Sequence, residues 1–454
     1  MKSLAMKFTD QIFKTTFGQR GVYTIITITV GLYLLQIFTP LRLNFDSTRL
    51  FEMVISYFEG KGFTWNGSPS PLPAGYPMYL AFLEHVGIAG PVAFVASNVL
   101  FIFIGMLALD WVARHEFRFS SLERRLLVAG TLLSTFTLKY TTLPLTEALY
   151  FGISFLVFRF LLSFPESLSS RWLFAVVSGG LILIAFNVRA IGVVLAPSWL
   201  IGAILLIFFK EPTRLSLNKR TLPYIVVACA LLAGGVFLLL LSDGHIPLLA
   251  TGHIQSAGDI PMHVFRQIAV MGQAVSNVPD SVAGMNGNLW FSIPGWLFAG
   301  LIVVGIWSRR QNVGPVELYL AAYVGMIIFW PYYQTRYWMP IYPLLLIYLI
   351  QGLRTVWRFQ ISKIVGSALG LVTLIFGFAG LGFSTWLTFS GEHFPARYGS
   401  NAIKYVYSAA FTGADEDFDE NYIHGLMYRV LKRYDPSAKS ASIPNSENSG
   451  PPAR

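Results

Sequence analysis

The stretch Leu43–His85, LNFDSTRLFEMVISYFEGKGFTWNGSPSPLPAGYPMYLAFLEH, is the first long polar interval in an apolar chain and directly follows its first apolar run. Asp46-Ser47 reads as a helix start. Behind it, Leu50, Met53, Val54, Tyr57 and Phe58 recur at helical spacing, while Arg49, Glu52, Ser56 and Glu59 take the other face. A helix of that pattern lies along a membrane surface. Gly60-Lys61-Gly62 stops it, and Asn66-Gly67 with prolines at 69, 71 and 73 predicts an irregular crossing. Gly75-Tyr76-Pro77 then starts a second short helix ending at Glu84-His85. The stretch therefore predicts a carboxylate, Asp46, held at the water interface between two surface helices.

Composition sets the class. Of 454 residues, 54% are hydrophobic and only 12% charged, which excludes a soluble globular protein and points to an all-α polytopic membrane protein. Cys229 is the single cysteine, so no intramolecular disulfide forms. The net charge of +10 sits in short segments between apolar runs and not in one aromatic-interleaved patch, so it reads as a topology signal with no nucleic-acid partner.

The run 22–40 reads as a retained anchor, since no small-residue cleavage site follows it. Further spans fall near 88–109, 126–143, 146–163, 172–188, 190–209, 221–241, 291–307, 315–331, 337–353 and 364–388, which makes about eleven. Residues 143–147 and 188–190 leave almost no loop, so each is either a tight hairpin or a break in one helix. With a cytoplasmic N-terminus, the inner segments hold 18 Lys and Arg against 7 in the short outer connections. Residues 1–388 then form one transmembrane bundle, with a first outer loop at 41–87 and a long outer loop at 242–290. Residues 389–454 form a short outer tail with an acidic patch at 415–420, a helix over 421–434 and disorder after about 436.

Charge at membrane depth is costly and marks either a pairing or a site. At the outer ends stand Asp46, Arg49, Glu84, His85, Lys139, Glu147, Arg189 and Arg336, with His245, His253 and His263 in the long loop. Asp46 reads as a helix cap, a general base, or both. Glu147 reads as a first-turn acid favoured by the helix dipole or as part of a site. Arg189 and Arg336 read as bidentate phosphate holders, as interfacial anchors, or as partners of Glu147. The run Trp330, Tyr332, Tyr333, Tyr337, Trp338 and Tyr342 reads first as an interfacial aromatic belt and second as a sugar-stacking surface. The three histidines are spaced by eight and ten residues, which matches no helix-face ligand pattern and reads as solvated loop.

In their order along the chain, several short pieces resemble the GT-C membrane glycosyltransferases. They are Asp46 in a first outer loop with surface helices, Pro73-Ala74-Gly75-Tyr76-Pro77, Thr146-Glu147, Arg189-Ala190-Ile191-Gly192, and Arg336-Tyr337-Trp338-Met339-Pro340-Ile341-Tyr342-Pro343. Within that fold the chain resembles the group of the protein O-mannosyltransferases and the bacterial lipid A aminoarabinose transferases, which use polyprenyl-phosphate sugars. The resemblance covers roughly residues 20–353 and departs in Asp46-Ser47, where the mannosyltransferases carry an Asp-Glu pair.

It implies a bacterial inner-membrane enzyme with its active face outside the cytoplasm and Asp46 as the catalytic carboxylate. Arg189 and Arg336 would hold the donor phosphate, and Arg49, Glu84, His85, Glu147 and Tyr337 would support the site or meet a lipid, glycan or protein acceptor. A divalent metal ion near Asp46, Glu84 or His85 is a further expectation, with no ligand set in the sequence. The competing expectations are a secondary transporter or lipid-linked sugar flippase, whose path would also be marked by charge, and a polysaccharide polymerase or ligase. Against transport stand charges gathered at one face and the lack of matching broken spans in two halves.

Overall fold

The structure is a computed structural model that describes residues 18–70, 72–163, 168–200, 259–279, 289–310, 313–328, 330, 332–356, 360–398, 401–412 and 422–438. Helix α1, Gln19–Gln36, leads through an extended segment into α2, Phe45–Phe58. Asn44, not Asp46, caps α2. Its side chain accepts from the Ser47 amide and Ser47 Oγ accepts from the Asn44 amide, both at 2.8 Å. Reciprocal capping needs partners three residues apart, which Asn44 and Ser47 satisfy. Asp46 is thereby moved into the first turn, where the helix dipole favours its charge and the carboxylate remains available to other partners.

Leu50, Met53 and Val54 are buried as their spacing requires, but Tyr57 and Phe58 are exposed. Glu52 and Ser56 on the opposite face are buried too, so α2 is covered on both sides. Part of that cover is a small antiparallel hairpin, β1 Thr64–Trp65 and β2 Ser68–Pro69, where an irregular crossing was expected. Asn66 and Gly67 form its turn with φ of 51° and 72°, the left-handed pair that a tight two-residue hairpin turn demands. Helix α3, Gly75–His85, follows at the expected bounds.

The bundle continues with α4 Pro91–His115, α5 Ser121–Leu132, α6 Thr135–Thr141, α7 Thr146–Leu162 and α8 Leu168–Val188. After a short 3₁₀ turn, Ala190–Val194, come α9 Ile260–Val275, α10 Ser292–Ser308, α11 Pro315–Ile328, α12 Tyr342–Val356 and α13 Gln360–Thr388. Helix α4 packs along α7, and α10 packs along both α9 and α12. On α13, Ile364, Leu371, Ile375, Phe383 and Trp386 are exposed, the face an apolar helix turns to lipid.

The expected span 126–143 is two helices, α5 and α6, and the chain bends by 110° between α6 and α7. Among the described residues three helices are long and apolar enough to cross a membrane, or four with that bent pair. Four shorter apolar helices accompany them, and 221–241 lies outside the described residues, so the expected eleven spans are not established. The long loop 242–290 contains α9, which packs in the bundle and buries His263; His245 and His253 lie outside the described residues.

The segments assigned to one side do meet. Arg309 pairs with Glu116 and, at 3.2 Å, with Glu317, while Arg354 pairs with Glu123 at 3.0 Å. Burial costs Arg309 part of its charge preference, yet Glu317 and Glu116 outweigh this and hold the guanidinium above its ordinary pKa.

The tail is not a loose appendage. Helices α14 Phe394–Arg397, α15 Asn401–Thr412 and α16 Tyr422–Tyr434 fold back onto the 41–87 segment, with α16 against α2. Buried Tyr407 accepts from the Leu43 amide at 2.6 Å and donates to the Leu41 carbonyl at 2.9 Å; Asp435 accepts from the Leu41 amide at 2.7 Å. Tyr398 donates to the Leu43 carbonyl at 3.0 Å. Composition hid this docking because the tail reads as mixed and polar while its buried anchors are scattered aromatics. The acidic patch and the chain after 438 lie outside the described residues.

Replacing Tyr407 with Phe leaves the buried Leu43 amide without its acceptor, which typically costs about 1–3 kcal/mol. Thermal unfolding in detergent should show a lower midpoint, and an unchanged midpoint would refute the clasp.

The docking should also fail in alkali. Burial, reinforced by Glu84, raises the Tyr434 pKa, and burial with Glu52 raises that of Tyr422. A raised tyrosine pKa stabilises the docked state fully below the ordinary value near 10, and that stability is lost as pH rises beyond it. Protease cleavage around α16 should therefore increase above about pH 10 and stay flat between pH 6 and 9.

Candidate active site

At the end of the bundle that carries the first outer loop, residues far apart in sequence converge on Tyr337. Arg336 Nη1 donates to Asp46 in a tight ion pair, and its Nη2 donates to the Tyr337 hydroxyl at 2.8 Å. Arg49 lies 3.9 Å from the other Asp46 oxygen and stacks on the Trp65 ring at 4.5 Å. Arg189 pairs with Glu147 at 3.4 Å and sits 5.7 Å from the Tyr337 ring centre, with Arg336 at 4.8 Å. Tyr337 thus links two acid–arginine pairs, one at the rim and one buried. The Asp46 side chain is 36% exposed, while Glu147 is 3% exposed.

Local structure aims each group. Arg336 stands in a 3₁₀ turn, Thr335–Tyr337, which breaks the chain direction before α12. Fully buried Tyr323 holds that turn by donating to the Tyr337 carbonyl at 3.1 Å. Arg189 is a single extended residue between α8 and the next 3₁₀ turn, with φ of −153°. That reversal needs Gly192, since a Cβ there would lie 2.5 Å from the Ala185 carbonyl oxygen. Gly75 plays a similar part, because a Cβ on it would come within 2.6 Å of the Asn187 carbonyl oxygen where α3 meets the end of α8. Glu147 opens α7 after a turn whose Thr141 and Leu143 carbonyls accept from buried Asn98 at 3.1 and 2.7 Å.

The site retains unused donors. Among the described residues, Arg336 Nε and Arg49 Nε are buried with no hydrogen-bond acceptor, while Arg189 Nη1 is engaged by the Glu147 carboxylate at 3.4 Å. Buried guanidinium N–H groups left open beside an exposed carboxylate suit an anionic ligand, because each gains a charge-assisted bond when one arrives.

The structure brings together five expected residues, Asp46, Arg49, Arg189, Arg336 and Tyr337, and joins Glu147 to them through Arg189. Glu84 and His85 are placed elsewhere. Glu84 pairs with Arg433 and accepts from Tyr434 at 2.5 Å, so it anchors the tail; His85 is exposed. Hence the expected metal neighbours of Asp46 are not assembled, and among the described residues no three His, Cys, Asp or Glu side chains converge. His263, expected as solvated, is buried and bonded to Tyr333 at 2.6 Å. Sequence reasoning passed over Asn98, whose signal was an amide inside the apolar run of α4, and Tyr323, which carried no signal beyond its aromaticity.

No protein-family model matches this chain, and no curated protein matches it either. Solved structures do. ArnT from Cupriavidus metallidurans bound to undecaprenyl phosphate is 13% identical, covering 86% of this chain and 68% of that one at a TM-score of 0.45. The same protein in the apo state is 14% identical, covering 91% and 72% at a TM-score of 0.45.

The buried pair supplies a stability test. Removing one partner strands a charge and costs about 3–5 kcal/mol, whereas removing both does not. Glu147→Ala and Arg189→Ala should each lower the unfolding midpoint more than the double replacement does. Additive losses would mean that the two side chains do not depend on each other.

Proposed function

We propose that this chain is a membrane glycosyltransferase that moves a sugar from a polyprenyl-phosphate donor to an acceptor hydroxyl on the extracytoplasmic face. The supporting observation is the half-exposed Asp46 carboxylate paired to Arg336 and joined through Tyr337 to Arg189, with guanidinium donors left over. In this reading, the acceptor hydroxyl gives its proton to Asp46 as its oxygen forms the new bond at the anomeric carbon. The bond from that carbon to the phosphate oxygen breaks on the opposite side, inverting the configuration. Negative charge that grows on the departing lipid phosphate falls to Arg336 and Arg189. Arg336 touches the base and reaches toward the leaving group, so it couples the two ends of the displacement. The acceptor is a lipid, a glycan or a protein.

Asp46→Asn should abolish transfer while the protein inserts normally, because Asn44 and Ser47 still cap the helix. Arg336→Lys keeps the charge but loses the planar fork, so transfer at limiting donor should fall roughly ten- to a hundredfold, equivalent to about 1.5–3 kcal/mol. Mass spectrometry of glycolipids and glycans from a deletion strain carrying each variant gives the readout. Parental product levels from both variants would remove Asp46 and Arg336 from the chemistry.

A further inference from the structure

A second polar site lies on the same helix, two turns beyond Asp46. A half-open cavity of about 180 Å³ is lined by Glu52 and Ser56 of α2, Lys61 and Thr64 beside the hairpin, and Tyr422 and Arg429 of α16. Glu52 is 8% exposed. Its Oε1 accepts from the Asn66 amide at 2.7 Å and from the Tyr422 hydroxyl. Its Oε2 is buried and, among the described residues, accepts from nothing. Ser56 and Thr64 pair through their hydroxyls, and Lys61 pairs with Glu59 at 2.7 Å.

We infer that this cavity is a subsite for one neutral sugar unit. Glu52 lines the cavity with a carboxylate that accepts and Arg429 lines it with a guanidinium that donates, so the cavity suits a ligand carrying both donors and acceptors. Adjacent sugar hydroxyls offer both at once. The lining acids Glu52 and Glu59 are matched by Lys61 and Arg429, so the cavity selects no net charge and favours a neutral ring over a phosphate or a cation. Its volume is below that of pockets for drug-sized ligands and suits a single ring. Six residues separate Asp46 from Glu52, about 9 Å along the helix axis. The two carboxylates also point about 120° apart around the helix, so a sugar held at Glu52 shares a ligand with a hydroxyl at Asp46 only where a glycan or glycolipid acceptor reaches around the side of α2. That acceptor assignment rests on the proposed transferase reading; binding of a sugar at Glu52 does not.

Saturation-transfer NMR on the full chain in lipid nanodiscs, with methyl α-mannopyranoside, methyl α-glucopyranoside and methyl β-galactopyranoside as probes, tests the subsite. At least one probe should receive saturation from the protein, and Glu52→Gln should weaken that binding tenfold or more. Arg429→Met, an exposed change that spares the fold, should weaken it comparably and decides the matter if Glu52→Gln does not fold. Asp46→Asn should leave it unchanged even though transfer is lost, which separates this subsite from the catalytic reading. Absence of transfer to all three probes, or equal binding in Arg429→Met, overturns the subsite.

Discussion

Ionic pairing between residues distant in sequence holds the polar ends of this bundle together. A charge at the edge of a bilayer is surrounded by a poor dielectric, where an isolated guanidinium or carboxylate is expensive and a paired one is tolerated. The chain meets this constraint twice. Arg309 gathers Glu116 and Glu317 at one end, and Arg336 and Arg189 gather Asp46 and Glu147 at the other. The apolar helices between them pack by shape together with a few buried hydrogen bonds, such as that between the Tyr150 and Tyr319 hydroxyls at 3.1 Å and that from Gln36 to Thr385 at 2.8 Å.

Those pairs differ in how completely they close. Glu317 accepts from both Arg309 and the Gly314 amide, at 3.2 and 2.8 Å, and Arg309 also donates to the Glu116 carbonyl at 3.0 Å. The two arginines paired with Asp46, Arg336 and Arg49, each keep an Nε–H group without an acceptor, and so does Arg124 in its pair with Asp110.

Much of this was legible in the sequence because charge is rare against an apolar background. Asp46, Arg189, Arg336 and Glu147 stood out for that reason, and the order of the short motifs pointed to a shared end of the bundle. What the sequence hid was pairing at long range. Asp46 resembled a cap because it is an acid at a helix start, and nothing local says that Asn44 and Ser47 would take that role instead. Glu84 looked like a site acid because its partners, Arg433 and Tyr434, lie some 350 residues further on. Glu52 looked like a solvated surface residue because the helix that covers it is α16.

The clasp between the chain's two extremities also bears on how the protein comes into being. Leu41 and Leu43, which fix the lead-in to α2, find their hydrogen-bond partners in Tyr398, Tyr407 and Asp435. A ribosome releases Leu43 long before it makes those residues. These bonds to the lead-in of α2 therefore form only once the distant tail has been made. A nascent chain halted before α15 would carry Asp46, Arg189 and Arg336 without the Tyr407 and Asp435 side chains that hold the segment ahead of α2.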